Sequence, residues 1–308
     1  MRAAIYEKYG QPDVVQVRDI LKPVPRDNEI LVKVIASTVS AGDSRMRSLN
    51  IPGNFFVKFM ARLFLGVRGP KKKILGMQVA GHVEAIGENV TKFKVGDEIF
   101  ASTYESGFGG HAEFKCFPED TIISLKPTNV SFDEAATFPV PALGAFSVLK
   151  KVNIQPGQKV LIYGASGAVG TNAVQLAKYW GAEVTGVCSE SNFEMVYSLG
   201  ADSLIDYKKT DFTQGEEKYD ILFDAVLKVS HSVGKRALKD NGILLSIEDQ
   251  TKERTTELVE LRDIIQNGKL RSVIDRTYPL EEIVDAYRYV DTGHKKGNVV
   301  ITMFHPKN

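Results

Sequence analysis

The sequence predicts an α/β protein in which a partly open β-barrel domain and a doubly wound parallel sheet share one chain. Three observations carry this prediction. Residues up to about 127 read as short strands between turns, residues from about 131 alternate strand with helix, and residues past about 270 return to strand-rich material. The expected domains are therefore 1–127 with 270–308, discontinuous, and 128–269 between them.

Size and composition fit this picture. At 308 residues the chain is long enough for two domains, each with its own core. Its 39 Lys+Arg and 38 Asp+Glu leave a net charge of +1, and 43% of residues are hydrophobic, close to the globular average. Such a balance supplies no long-range field to hold nucleic acid or an anionic membrane, so a small-molecule partner is expected. Two cysteines, Cys116 and Cys188, cannot build a disulfide framework, and neither has a second ligand at zinc spacing. The opening MRAAIYEKYG lacks the apolar core of a signal peptide, and the most apolar stretch, residues 55–67, is interrupted by Lys58 and Arg62. It is also shorter than the ~18 residues a membrane span requires. A reducing, cytoplasmic setting without a membrane span is the expectation.

In the first part, residues 30–35, 79–86, 98–101 and 111–116 are rich in β-branched and apolar residues and bounded by Gly, Pro or Asn. GEN and VGD around Gly87 and Gly96 are turn chemistry. In the middle, Ser131 stands three residues before Glu134, a capping-box pattern that opens a helix. Strands follow at 159–163, 183–187, 203–205, 220–223 and 242–247, with helices at 169–180 and 192–199. KVLIY and ILF are near-continuous apolar runs, as strands buried on both faces should be. Past Thr255, Leu258, Leu261, Ile264 and Ile265 share one helix face. A strand at 271–278, a helix at 280–290 and a strand at 298–303 close the chain.

The sharpest local signal is Ala165-Ser166-Gly167-Ala168-Val169-Gly170, directly after a strand and opening a helix. Small residues there let the backbone approach a pyrophosphate, whose charge then sits on N–H groups at a helix N-terminus. Dinucleotide binding is the prediction. Ala165 stands where the pattern has its first glycine. About 20 residues on, an NAD site places a carboxylate for the ribose 2′-hydroxyl. Here the strand runs instead into Cys188-Ser189-Glu190-Ser191-Asn192. Ser189 and Asn192 suit a 2′-phosphate, with Tyr207, Lys208 and Lys209 as further candidates, whereas Glu190 suits NAD. NADP(H) is preferred over NAD(H).

Several segments together are more specific than the glycine turn: KPVPRDNEILVKV, VSAGDSRMR at 39–47, the 74–100 run ILGMQVAGHVEAIGENVTKFKVGDEIF, GGHAEF at 109–114, SLGADSLIDY at 198–207 and HKKGNVVI near the end. In these the chain resembles the medium-chain dehydrogenase/reductase superfamily, in its zinc-independent quinone oxidoreductase-like branch. The resemblance implies a GroES-like catalytic domain, a Rossmann cofactor domain and an active site in the cleft between them. It also adds Asn298 to the cofactor-binding candidates. In zinc-dependent members a Cys falls at Ser40, a His at Met77 and a third ligand near Val140. Ser, Met and Val cannot replace thiolate, imidazole or carboxylate, so no zinc is expected. The five histidines read as surface or core residues.

The activity implied is NAD(P)H-dependent hydride transfer to a quinone or to the C=C of an α,β-unsaturated carbonyl. Candidate polar contacts are Ser40 and Asp43, which match the loop lining the family's cleft, and Tyr104 in a Gly-flanked loop; Asp43 is also read as orienting neighbours such as Arg45. Alternatives stay open: an enoyl-thioester reductase, for which RGPKKK at 68–73 meets a phosphorylated carrier, or a cofactor-binding regulatory or structural protein without turnover. The 55–64 segment reads either as an apolar substrate lid or as ordinary core or subunit contact, and Gly144 stands where relatives often carry Thr. Finally, residues 248–252 run straight from a strand into a helix, where a six-stranded sheet needs ~20 more residues. Either the last strand is lost, which gives a five-stranded sheet and a monomer or a dimer built on a different surface, or a mobile segment is missing at this point of the sequence.

Overall fold

A computed structural model describes residues 1–51, 53–249 and 252–304. The chain divides into two compact units, Met1–Pro139 with Ile274–Asn308, and Val140–Val273.

The first unit begins with a two-stranded antiparallel ribbon, β1 (Arg2–Tyr6) and β2 (Val15–Asp19), which the sequence reading missed. The long β3 (Glu29–Val39) leads into helix α1 (Ala41–Ser48) and then α2 (Phe55–Leu65). β4 (Gln78–Ile86), β5 (Glu98–Ser102), β6 (Phe114–Pro118), β7 (Ile123–Leu125) and the one-turn α3 (Phe132–Ala135) complete this first pass. β6 starts three residues later than the expected 111–116 strand. Ser131 and Glu134 form the expected capping box. Because α3 packs on β3 and β4, the boundary lies at 139/140 and not at 127/128.

The second unit runs through α4 (Pro141–Lys150), β8 (Lys159–Tyr163), α5 (Ala168–Tyr179), β9 (Glu183–Cys188), α6 (Phe193–Ser198), β10 (Ser203–Asp206), β11 (Tyr219–Asp224), α7 (His231–Ala237), β12 (Leu238–Ser246) and α8 (Thr255–Gln266). Its five strands pair in the order β10-β9-β8-β11-β12, all parallel. This is the doubly wound arrangement, in which the order reverses beside β8. Leu161, Val187, Phe212, Tyr219, Leu222 and Ala237 form a continuous core across it. Leu258, Leu261, Ile264 and Ile265 of α8 are buried, as their spacing required. After β12 no sixth strand occurs among the described residues; part of the expected 248–252 junction, Gln250 and Thr251, lies outside them.

The chain then re-enters the first unit with β13 (Ile274–Pro279), α9 (Ile283–Asp291) and β14 (Asn298–Thr302), so the second boundary lies at 273/274 and not at 269/270. β14 pairs antiparallel with residues 36–39 of β3, while residues 29–33 pair with β6. By changing partners along its length, β3 ties both passes of the chain into one seven-stranded sheet.

Candidate functional site

The glycine turn joins β8 to α5. Gly164, with φ at +82°, makes the reversal, a conformation that side chains resist. Ala165, the expected first position of the pattern, is instead a buried wall, and the reversal falls on the residue before it. The N–H groups of Gly164 and Ala165 both donate to the Val187 carbonyl, 3.0 and 3.1 Å away, which pins the turn to β9. Gly170 lets the helix press against the turn, since a Cβ there would stand 2.1 Å from the Gly164 oxygen. Gly167 is the N-cap of α5 and has no capping side chain, and the first intrahelical bond is Thr171 N–H to Gly167 O, 2.9 Å. The N–H groups of Ala168, Val169 and Gly170 thus have no acceptor in the helix ladder. A short, uncapped, glycine-lined helix start fits the diphosphate of a dinucleotide.

Beyond β9, Asn192 is buried and its Nδ2 donates to Ser189 Oγ at 3.1 Å, while Ser189 Oγ lies 3.3 Å from Ser191 Oγ. These neighbours form one small polar group. Asn192 Oδ1 is buried and has no partner among the described residues, which leaves an acceptor for a bound ligand. Glu190 pairs with Lys209 at 2.6 Å, so the one carboxylate that argued for a ribose hydroxyl is held by a lysine. Tyr207 is exposed on the turn after β10. Asn298 is buried at the start of β14 in the first unit.

In the first unit, Ser40 and Asp43 are a capping box at the start of α1. Asp43 Oδ2 accepts from the Ser40 N–H at 2.9 Å and from Ser40 Oγ at 2.6 Å, and Asp43 Oδ1 accepts from the Gly76 N–H at 2.9 Å. Ser40 Oγ in turn accepts from the Asp43 N–H at 3.1 Å. The expectation that Asp43 orients Arg45 is corrected: its bonds go to Ser40 and Gly76, and Arg45 is exposed. Met77 Sδ sits 3.6 Å from Ser40 Oγ, and Val140 is the N-cap of α4. Among the described residues no three His, Cys, Asp or Glu side chains converge as a metal site would require.

Tyr104 is 56% exposed, its ring edge-on to Phe108 at 5.7 Å, and its hydroxyl makes no hydrogen bond among the described residues. His111 is buried, with Nε2 2.9 Å from the Thr38 carbonyl and Nδ1 3.4 Å from the Tyr287 hydroxyl. Burial holds its pKa below the usual imidazole range. Burial also pushes the Cys116 and Cys188 thiols up to about 11, so neither is an activated nucleophile. Gly144 is buried within α4. Helix α2 buries none of its residues, which removes the ordinary-core reading of the 55–64 segment. In the turn after it, Lys73 pairs with Glu7 and Lys71 donates to the Leu63 carbonyl.

Comparison with known proteins agrees with this geometry. Residues 26–127 match the alcohol dehydrogenase GroES-like domain, and residues 168–270 and 244–301 match two zinc-binding dehydrogenase models. The 2-methylene-furan-3-one reductase of Solanum lycopersicum is 30% identical over 325 residues, covering 99% of this chain and 79% of the relative. The chloroplastic NADPH-dependent alkenal/one oxidoreductase of Arabidopsis thaliana is 29% identical, covering 98% and 79%. Among solved structures, the quinone oxidoreductase from Coxiella burnetii superposes with a TM-score of 0.85 at 28% identity, covering 99% of each chain.

Proposed function

The chain belongs to the medium-chain dehydrogenase/reductase superfamily, and from that membership we propose that it reduces a quinone or the C=C of an α,β-unsaturated carbonyl with NADPH, without zinc. The observation that carries this reading is the uncapped helix start at 168–170 in a chain whose relatives include NADPH-dependent enone reductases. The Val140–Val273 unit is then the cofactor domain and the other unit the catalytic one. Bound NADPH would supply hydride to the electron-poor carbon, with water furnishing the proton.

This chain's residues contribute binding and orientation. The 168–170 N–H groups would hold the diphosphate. Ser189 and Asn192, with Tyr207 and Lys208 beside them, would take the adenosine ribose and its 2′-phosphate, and the Glu190–Lys209 pair lessens the repulsion that Glu190 alone would offer that phosphate. Asn298 would be a further cofactor contact. Tyr104, whose hydroxyl is uncommitted, is the favoured donor to the acceptor's carbonyl oxygen. Ser40 and Asp43 would shape the site from behind, because their polar atoms already bind each other and Gly76.

Zinc independence is supported by residue type: a hydroxyl, a thioether and an isopropyl group stand at Ser40, Met77 and Val140. A cytoplasmic setting and a monomer, or a dimer without a shared sheet, belong to the same reading. The test is NADPH oxidation followed with a panel of quinones, enones and enoyl thioesters, repeated with NADH and after chelator dialysis. Turnover with a quinone or enone, faster with NADPH and insensitive to chelation, is expected. Tight NADPH binding without oxidation by any acceptor would overturn the reading in favour of a binding protein without turnover.

A further inference from the structure

Helix α2 is turned inside out. At about 100° per residue, Ala61 and Leu65 share one face, and these are its half-buried residues. Phe55, Phe56, Phe59, Met60, Leu63 and Phe64 fan across the opposite side, all exposed, Phe55 at 85% and Phe64 at 74%. A surface helix of a globular protein ordinarily presents the reverse. Arg62 borders the apolar fan beside Phe55 and Lys58 lies beyond it on the same side, and residues 54–73 carry six basic side chains and no acidic one. Lys58 and Arg68 make no ion pair among the described residues. The overall charge of +1 conceals this concentration.

We propose that α2 and the basic turn after it dock on an anionic lipid surface, the helix lying in the plane of the interface. Eleven residues make a helix of about 16 Å, too short to cross a bilayer. The phenylalanines would enter the headgroup–acyl boundary, and Lys58, Arg62 and Arg68 would meet lipid phosphates. The charge pattern favours lipid over a second copy of the chain. In a two-fold interface the same patch faces itself, setting Lys58, Arg62 and Arg68 of one copy against the same three of the other.

The test is sedimentation of the full chain with large vesicles, either pure phosphatidylcholine or with about a third phosphatidylglycerol, without NADPH or acceptor. Binding to the anionic vesicles is expected, at least ~10-fold tighter than to neutral ones and several-fold weaker at ~0.5 M salt. Phe56→Ser with Phe64→Ser should remove most of the binding, and Lys58→Glu with Arg68→Glu should remove the preference for anionic lipid. All four residues are exposed, so the variants should melt as the parent does. No binding to either vesicle, or binding unchanged by the two serines, overturns the proposal. So does a parent dimer on gel filtration that the two serines dissociate, which would give the face to a second copy. Cofactor and acceptor play no part in this assay, so its outcome is independent of the proposed activity.

Discussion

Two strand-to-helix junctions in this molecule solve the same problem in opposite ways. Where β3 meets α1, Ser40 and Asp43 occupy the first turn with their own side chains and also hold Gly76. Where β8 meets α5, the capping position is Gly167, and no side chain among the described residues caps the turn. The first junction is complete in itself and has nothing left to offer an anion. The second is incomplete, and its missing acceptors describe what it binds. Residues rich in chemistry therefore mark scaffold in one place, and residues with almost none mark a binding site in the other.

The comparison can be broken most severely at Asp43. Asp43→Ala leaves the Ser40 and Gly76 N–H groups without their acceptor, which should cost about 3 kcal/mol of stability. Chemical denaturation measures this, and NADPH affinity should stay within about threefold in the folded protein. The converse experiment is Gly167→Asp. A Cβ at that position meets nothing closer than 3.5 Å and φ is −81°, so the side chain is accommodated and caps α5 as Ser40 caps α1. Stability should hold or rise by about 0.5–1 kcal/mol, while the Kd for NADPH rises about 100-fold or more because a carboxylate now sits where the diphosphate belongs. A calorimetric titration showing unchanged affinity would dissolve the contrast between the junctions.

The smallest effect sharpens the contrast through pH. In the first unit Lys295 is half-buried, its Nζ donates to the Gly297 carbonyl at 2.5 Å, and desolvation lowers its pKa to about 8, opposed by Asp275. The unfolded chain binds that proton up to about 10.5, so unfolding takes up a proton between these values and stability rises with pH across the window. Lys295→Met should flatten the rise in urea-derived stabilities between pH 8 and 10.5. The 164–170 turn contains no titratable side chain, so its grip on a diphosphate should not follow the same profile.

What was legible in the sequence follows the same division. The glycine turn and the parallel strands were readable because each is a local pattern: a run of apolar residues buried on both faces, then small residues, then a helix. Gly164 lies outside the pattern, whose spacing to Gly167 and Gly170 starts at Ala165, although a glycine directly after a strand is itself a sign of a positive φ. The Ser40–Asp43 capping box has the same three-residue spacing as Ser131–Glu134, but a hydroxyl beside a carboxylate is equally the equipment of a reacting site, and spacing alone does not separate the two. β1 (RAAIY) is a five-residue run without alternation and β2 (VQVRD) alternates over only five residues, both too short to separate from loop. Helix α2 could be located by composition, but which face it buries depends on what packs against it, and periodicity carries no sign for inward or outward.

The five-stranded sheet leaves β12 as an outer strand, with a row of backbone groups that a neighbour from another molecule could extend. Along this rim Lys239 and Asp240 are exposed, and Lys239 is tied to Asp220 at 2.8 Å. Charges so placed discourage edge-to-edge stacking, which unsheltered strands otherwise promote on the way to aggregates. A chain that ends its sheet one strand early carries a standing colloidal hazard, and two charged side chains at that margin are its insulation.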